Sequence, residues 1–218
     1  MYPNAYNGIK KIYTAEILSV ITSVIAIIAS ISLIVGLNGA DKGDITDGIA
    51  AAFVGGGALL IISAIIAIVA FILNVVGISK ASTDEPIFKK AMMWLIISIV
   101  GSIVSGFFQE GSALQLIFNL VYQVGNILVT LFVIDGITSL GSKLGKTSLV
   151  NKGKSLKSMI LVFYVISLIL TIIEGFLTNN DTTVVIGGVH GIIALIVLII
   201  AFFMYLSLLS KAKKALAQ

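Results

Sequence analysis

Six long apolar runs, at about 12–37, 50–79, 88–108, 113–138, 157–178 and 183–210, occupy most of the chain. Each is continuous, and each reaches or exceeds the roughly 20 residues that a helix needs to cross the hydrocarbon of a bilayer. A transmembrane barrel would instead show short segments of alternating polarity. The pattern therefore predicts an all-α membrane protein: one integral domain, 1–218, built as a six-transmembrane-helix bundle in the lipid bilayer. The first run is too long for the roughly 7–15-residue core of a signal peptide, and no A-x-A site follows it, so it is expected to be a retained helix. The loops leave no room for a separate soluble domain.

The fourth run breaks the apolar pattern in an ordered way. "LIFNLVYQVGNILVTLFVID" (116–135) is apolar overall, yet Gln115, Asn119, Tyr122 and Asn126 fall within a sector of roughly 60° at about 100° per residue. Gln123 and Thr130 widen that sector to about 100°. Hydrocarbon cannot satisfy a carboxamide, so this face must meet protein or water. One reading is a hydrated pathway lined by neutral hydrogen-bonding groups. The other is interhelical bonding, including at an oligomer interface, where such contacts contribute about 0.6 kcal/mol each.

Small residues suggest where helices approach closely. Ala15/Ser19/Ser23, Ser98/Ser102/Gly106 and Gly187/Gly191 read as packing seams, and Gly55-Gly56-Gly57 as a helix start or packing contact. Proline occurs only at positions 3 and 86, outside the runs, so the helices are expected to be mostly straight. Three helical hairpins in series are one reading of the order. The echoes of "VVGISK" (75–80) in "IDGITSL" (134–140), and of "AIIASISLIVG" (26–36) in "AIIAIVAFILNVVG" (64–77), support it only as far as composition bias allows.

Charge orients the bundle. The chain is 58% hydrophobic and 11% charged, against roughly 25% charged residues in a soluble domain. All fourteen basic residues are lysine, and thirteen of them flank the same ends of the runs; only Lys42 lies opposite. The positive-inside rule then places both termini in the cytoplasm, N-in/C-in, and the protein in the cytoplasmic (plasma) membrane. Without arginine, bidentate phosphate recognition is disfavoured, and nucleic acid is not an expected partner.

The remaining ionisable groups form two sets. Glu174 and His190 each lie about eight residues from the expected outer turn near Thr182, at matching depth on neighbouring helices. They are candidates for cation or proton exchange, with backbone bonding of His190 as the plainer alternative. Glu16, Asn74 and Asp135 sit near the inner end. An inner gate is the functional reading for these, and pairing of the acids with nearby lysines the simpler one.

Enzyme chemistry finds little footing. One histidine and no cysteine rule out metal sites built from several imidazoles or thiolates, so neither a metal nor a cofactor is expected. A rhomboid-like intramembrane serine protease has six helices with a serine on the fourth, but its G-x-S-G motif is missing from "QEGSALQ" (109–115). The sequence thus points to a channel or transporter for a small solute or ion, with its polar route along the fourth helix. The alternative is a membrane accessory, sensor or immunity-type protein that binds another membrane protein. A homo-oligomer is compatible with both.

Overall fold

The computed structural model describes residues 2–40, 56–109, 112–176 and 181–217; side chains 36–40, 167–192, 194 and 195 fall outside the description. Among the described residues there are six helices and no strand: α1 Pro3–Ala40, α2 Ala58–Asp84, α3 Ile87–Ser105, α4 Ala113–Lys143, α5 Thr147–Phe176 and α6 Asp181–Leu216. Five helical stretches are long and apolar enough to cross a membrane: Pro3–Val35, Ala58–Asp84, Ile87–Ser105, Ala113–Lys143 and Ile196–Leu216. The helices extend past the apolar runs at the lysine-rich ends, as in α1, which starts at Pro3, and α4, which ends at Lys143. The apolar run marks what lipid can hold. The helix continues into water for as long as its backbone bonds and packing allow.

Two compact units make up the chain: Met1–Ile9 with Ile78–Gln218, and Lys10–Gly77. In the first, α4 is the central element and packs against α3, α5 and α6. Two of the connections are short. The α2–α3 turn is only Glu85 and Pro86, and the α4–α5 turn is Leu144–Lys146. That second turn ends α4 in a Schellman motif: Lys146 N–H donates to Gly141 O at 2.8 Å and Gly145 N–H to Ser142 O at 3.0 Å. Gly145 takes the left-handed conformation the motif needs, with φ at +65°. At the other end, the Ser112 hydroxyl caps α4 by accepting from Gln115 N–H at 3.3 Å.

The core lies at the lysine-rich end of this unit. Phe88, Ile134, Ile137, Leu156, Leu208 and Leu209 are fully buried there. Phe88 lies where Gly136 has no side chain; a Cβ at Gly136 would come 2.5 Å from the ring. Toward the opposite end the apolar residues turn outward instead, as Ile103, Leu116, Ile117 and Leu120 do on α3 and α4. An apolar surface of this extent is incompatible with water and suits lipid.

The α3 seam differs from the one the sequence suggested. Ser98 is buried, but Ser102 and Gly106 are exposed; the buried positions are Ser98, Gly101 and Ser105. Steps of four residues drift about 40° each around a helix, whereas alternating steps of three and four stay on one face. Gly101 and Gly125 are the contact points. A Cβ at Gly101 would meet Phe118 O and Tyr122 N at 3.2 Å, and one at Gly125 would meet Ser98 Cβ at 2.7 Å. On α1, Ala15 is buried, but Ser19 and Ser23 are exposed and donate to carbonyls of their own helix, Ala15 O and Ser19 O. They form no seam. Gly187 and Gly191 lie where side chains are outside the description.

In the second unit α1 lies against Gly56, just ahead of α2, whose Cβ would lie 2.7 Å from Leu33 Cγ and 3.1 Å from Ala29 O. Gly57 faces open space, so the part of the glycine run that is described serves packing at one position only.

These contacts separate glycines that cannot grow from one that can. Gly125→Val should destabilise the protein by about 1–3 kcal/mol through overpacking against Ser98. Gly57→Ala should leave stability unchanged or raise it by up to about 1 kcal/mol, because alanine favours the helix. Thermal unfolding in detergent distinguishes the two; equal effects would remove the close-packed α3–α4 seam.

Candidate functional site

The polar face of α4 begins at its Ser112 cap and descends past Gln115, Asn119, Tyr122, Gln123, Asn126 and Thr130. It lies beside the face that meets α3 through Gly101 and Gly125, so the amides are not what joins these two helices. Tyr122 and Gln123 are exposed, while Gln115, Asn119, Asn126 and Thr130 are half-buried. Thr130 is satisfied internally, donating to Asn126 O at 3.2 Å. Among the described residues the side chains of Asn119, Tyr122, Gln123 and Asn126 have no hydrogen-bond partner. Among the described residues, bonding between helices therefore does not account for these four groups. They sit between lipid-type positions such as Leu116 and Leu120, which are 60% and 56% exposed.

A second polar assembly occupies the lysine-rich end. Glu85, only 3% exposed, accepts from Ser139 Oγ at 2.9 Å and from Ile87 N–H at 3.4 Å, and pairs with Lys143 Nζ at 2.8 Å. Burial by itself would raise its pKa. The Lys143 ammonium, the Ser139 hydroxyl and the Ile87 amide outweigh that and hold the carboxyl below its ordinary value. Asp84 accepts from Asn4 Nδ2 at 3.0 Å and from Ala5 N–H at 2.8 Å, placing a carboxylate at the start of α1, where the helix dipole favours it. Lys152 donates to Ser207, and Lys90 stands 5.8 Å from the centre of the Phe132 ring.

Of the inner-end candidates, Asp135 is held by Lys157, whose ammonium reaches both carboxylate oxygens at 2.8 and 2.7 Å. The pairing expected for it thus exists, with Lys157 as the partner. Asn74 has a buried side-chain oxygen without a hydrogen-bond partner, as does Thr22. Glu16 is half-buried on α1. The side chains of Glu174 and His190 lie outside the described residues. Among the described residues no group of three acidic, histidine or cysteine side chains is placed to hold a metal ion.

Sequence reading passed over Glu85, yet a signal was present. Pro86, between the second and third apolar runs, marks the turn, and Glu85 is the residue before it, a position biased out of the helix. No family model, curated protein or solved structure matches the chain.

The Glu85 cluster has a defined pH dependence. Because its pKa is lower in the folded state, it contributes stability above the ordinary value of 4.5 and loses that contribution as pH falls through the folded value. Glu85→Gln should therefore unfold at a lower temperature than the parent at pH 7, with the gap closing below pH 4.5. A gap that stayed constant with pH would mean that the charge on Glu85 contributes nothing.

Proposed function

We propose that this protein is a small channel or transporter that passes a small solute or ion along the polar face of α4. The supporting observation is the set of four side chains, Asn119, Tyr122, Gln123 and Asn126, without a hydrogen-bond partner among the described residues. Leaving a carboxamide unpaired in hydrocarbon costs about 2–7 kcal/mol. Water or a solute along this face would remove that cost. The lining is neutral and offers both donors and acceptors, which suits a polar or weakly bound cargo better than tight capture of one charge. No catalytic step is part of this proposal.

The finer topology belongs to the same proposal. Six spans, with the N-terminus and C-terminus in the cytoplasm of a plasma-membrane protein, would put Lys80, Lys89, Lys143 and the lysines at the end of α6 on the inner side. The mouth of the route at Ser112 and Gln115 then faces outward. A reporter fused after Gln218 should be active only in the cytoplasm; activity only outside would invert the whole arrangement.

Thiol labelling tests the route itself. With no native cysteine in the chain, single cysteines at 115, 119, 122 and 126 should react with a charged membrane-impermeant reagent, and those at 116, 120 and 124 should not. Asn119→Leu should keep the fold while changing flux or selectivity. Unreactive thiols with a destabilised Asn119→Leu protein would return the amides to a structural role and move the function to binding another membrane protein.

A further inference from the structure

In the unit that holds α3 to α6, each acid whose side chain is described already has a partner: Asp84 the start of α1, Glu85 Lys143, and Asp135 Lys157. Lys152 is placed differently. Its ammonium crosses from α5 to α6 and donates to Ser207 Oγ, and Lys211 follows Ser207 by one turn on the same face of α6. Two ammoniums therefore stand at one hydroxyl. Burial, and after it the charge of Lys211, hold the pKa of Lys152 below the ordinary lysine value. The Ser207 oxygen accepts from Lys152, and its own proton has no acceptor among the described residues. The backbone beneath is held firmly, because Leu156, one turn from Lys152, and Leu208 and Leu209, next to Ser207, are fully buried. The cluster thus presents N–H and O–H donors and positive charge, and no described carboxylate neutralises it.

We infer that Lys152, Ser207 and Lys211 bind the phosphate of an anionic phospholipid at the lysine-rich surface of the membrane. The rest of this α6 face selects a lipid over a free anion. Ile196, Ile200, Phe203, Ser207 and Lys211 follow at intervals of four, three, four and four residues, within a sector of about 80°. The first three are exposed apolar side chains, Ser207 is half-buried and Lys211 is exposed. Ile196 lies eleven residues from Ser207, about 16 Å along the helix, which is the depth of one leaflet in a hydrocarbon core of about 30 Å. An apolar strip one leaflet long that ends in a hydroxyl and two ammoniums matches an acyl chain with a phosphate head. A basic pocket between helices at the membrane surface is the usual seat of such head groups. A choline head would bring a third ammonium to the pair, so an anionic lipid is favoured over a zwitterionic one. The α4 route plays no part in this site.

Lipid retention tests this. The full-length protein is released from bilayers of mixed phosphatidylglycerol and phosphatidylcholine, and the lipid that stays bound is weighed by native mass spectrometry. The parent should keep phosphatidylglycerol in preference to phosphatidylcholine, and Lys211→Gln or Lys152→Gln should each cut that preference about fivefold, the effect of one lysine charge at a membrane surface. Lys211→Arg should retain it. Lys89→Gln and Lys154→Gln remove equally exposed lysines, the second about 160° around α5 from Lys152, and should leave the preference unchanged. Lys211 is exposed, so its replacement reads binding rather than folding. No preference in the parent, or the same loss at all four lysines, would reduce the cluster to part of a diffuse surface charge and overturn the inference. Displacement of the lipid by millimolar inorganic phosphate would make the ligand a free anion and overturn the lipid assignment.

Discussion

Hydrocarbon supplies no hydrogen bond, and the arrangement of polar groups in this protein follows from that. Many of the described hydroxyls meet the constraint locally, Thr22 being an exception. Ser19, Ser23, Ser30 and Ser32 on α1, Ser63 on α2, Ser98 and Ser105 on α3, and Thr130 and Thr138 on α4 all donate to a carbonyl three or four residues back in their own helix. A short side chain can do this because the preceding turn is within its reach. A carboxamide has two donors and an acceptor to satisfy, and one carbonyl does not suffice. The amide face of α4 is therefore a different problem from the serines that surround it, although both appear as polar interruptions in apolar text.

The same constraint divides the molecule along its length. At the lysine-rich end charges are affordable because they are paired close to water: Glu85 with Lys143, Asp135 with Lys157, and Asp84 with the first turn of α1. Pairs as open as Asp135–Lys157 add little stability on their own. Beneath them sits the tight core around Phe88 and Gly136. Toward the opposite end the described helices keep apolar residues outward. There Asn119, Gln123 and Asn126 of α4 stand out because, among the described residues, they lack the partners that the charges at the lysine-rich end have.

Much of the fold was legible because lipid imposes simple rules. Continuous apolar runs gave the helices, and lysines marked where they emerge. The termini of the helices were less legible, since a helix leaving the membrane loses its apolar signature but keeps its hydrogen bonds, as α1 does from Pro3. The α3 seam was misplaced by one step because Ser98 starts two small-residue series, and only the packing partner decides between Ser102 and Gly101. At the candidate site, the angular grouping of Gln115, Asn119, Tyr122 and Asn126 could be read directly. Whether those groups bond within the chain could not, because that depends on which neighbouring side chains arrive at the same depth. Glu85 was missed for a related reason: its partners Ser139 and Lys143 are more than fifty residues away in sequence.

The proposed route requires that the polar face of α4 meet water rather than lipid. Collision of molecular oxygen, which concentrates in hydrocarbon, with single spin labels placed from residue 115 to 130 in native-like bilayers measures this directly. The account predicts oxygen collision minima at 115, 119, 122 and 126 and maxima at 116, 117, 120 and 124, repeating with the helical period of about 3.6 residues. Oxygen collision at 119 and 126 as high as at 117 and 124 would contradict it.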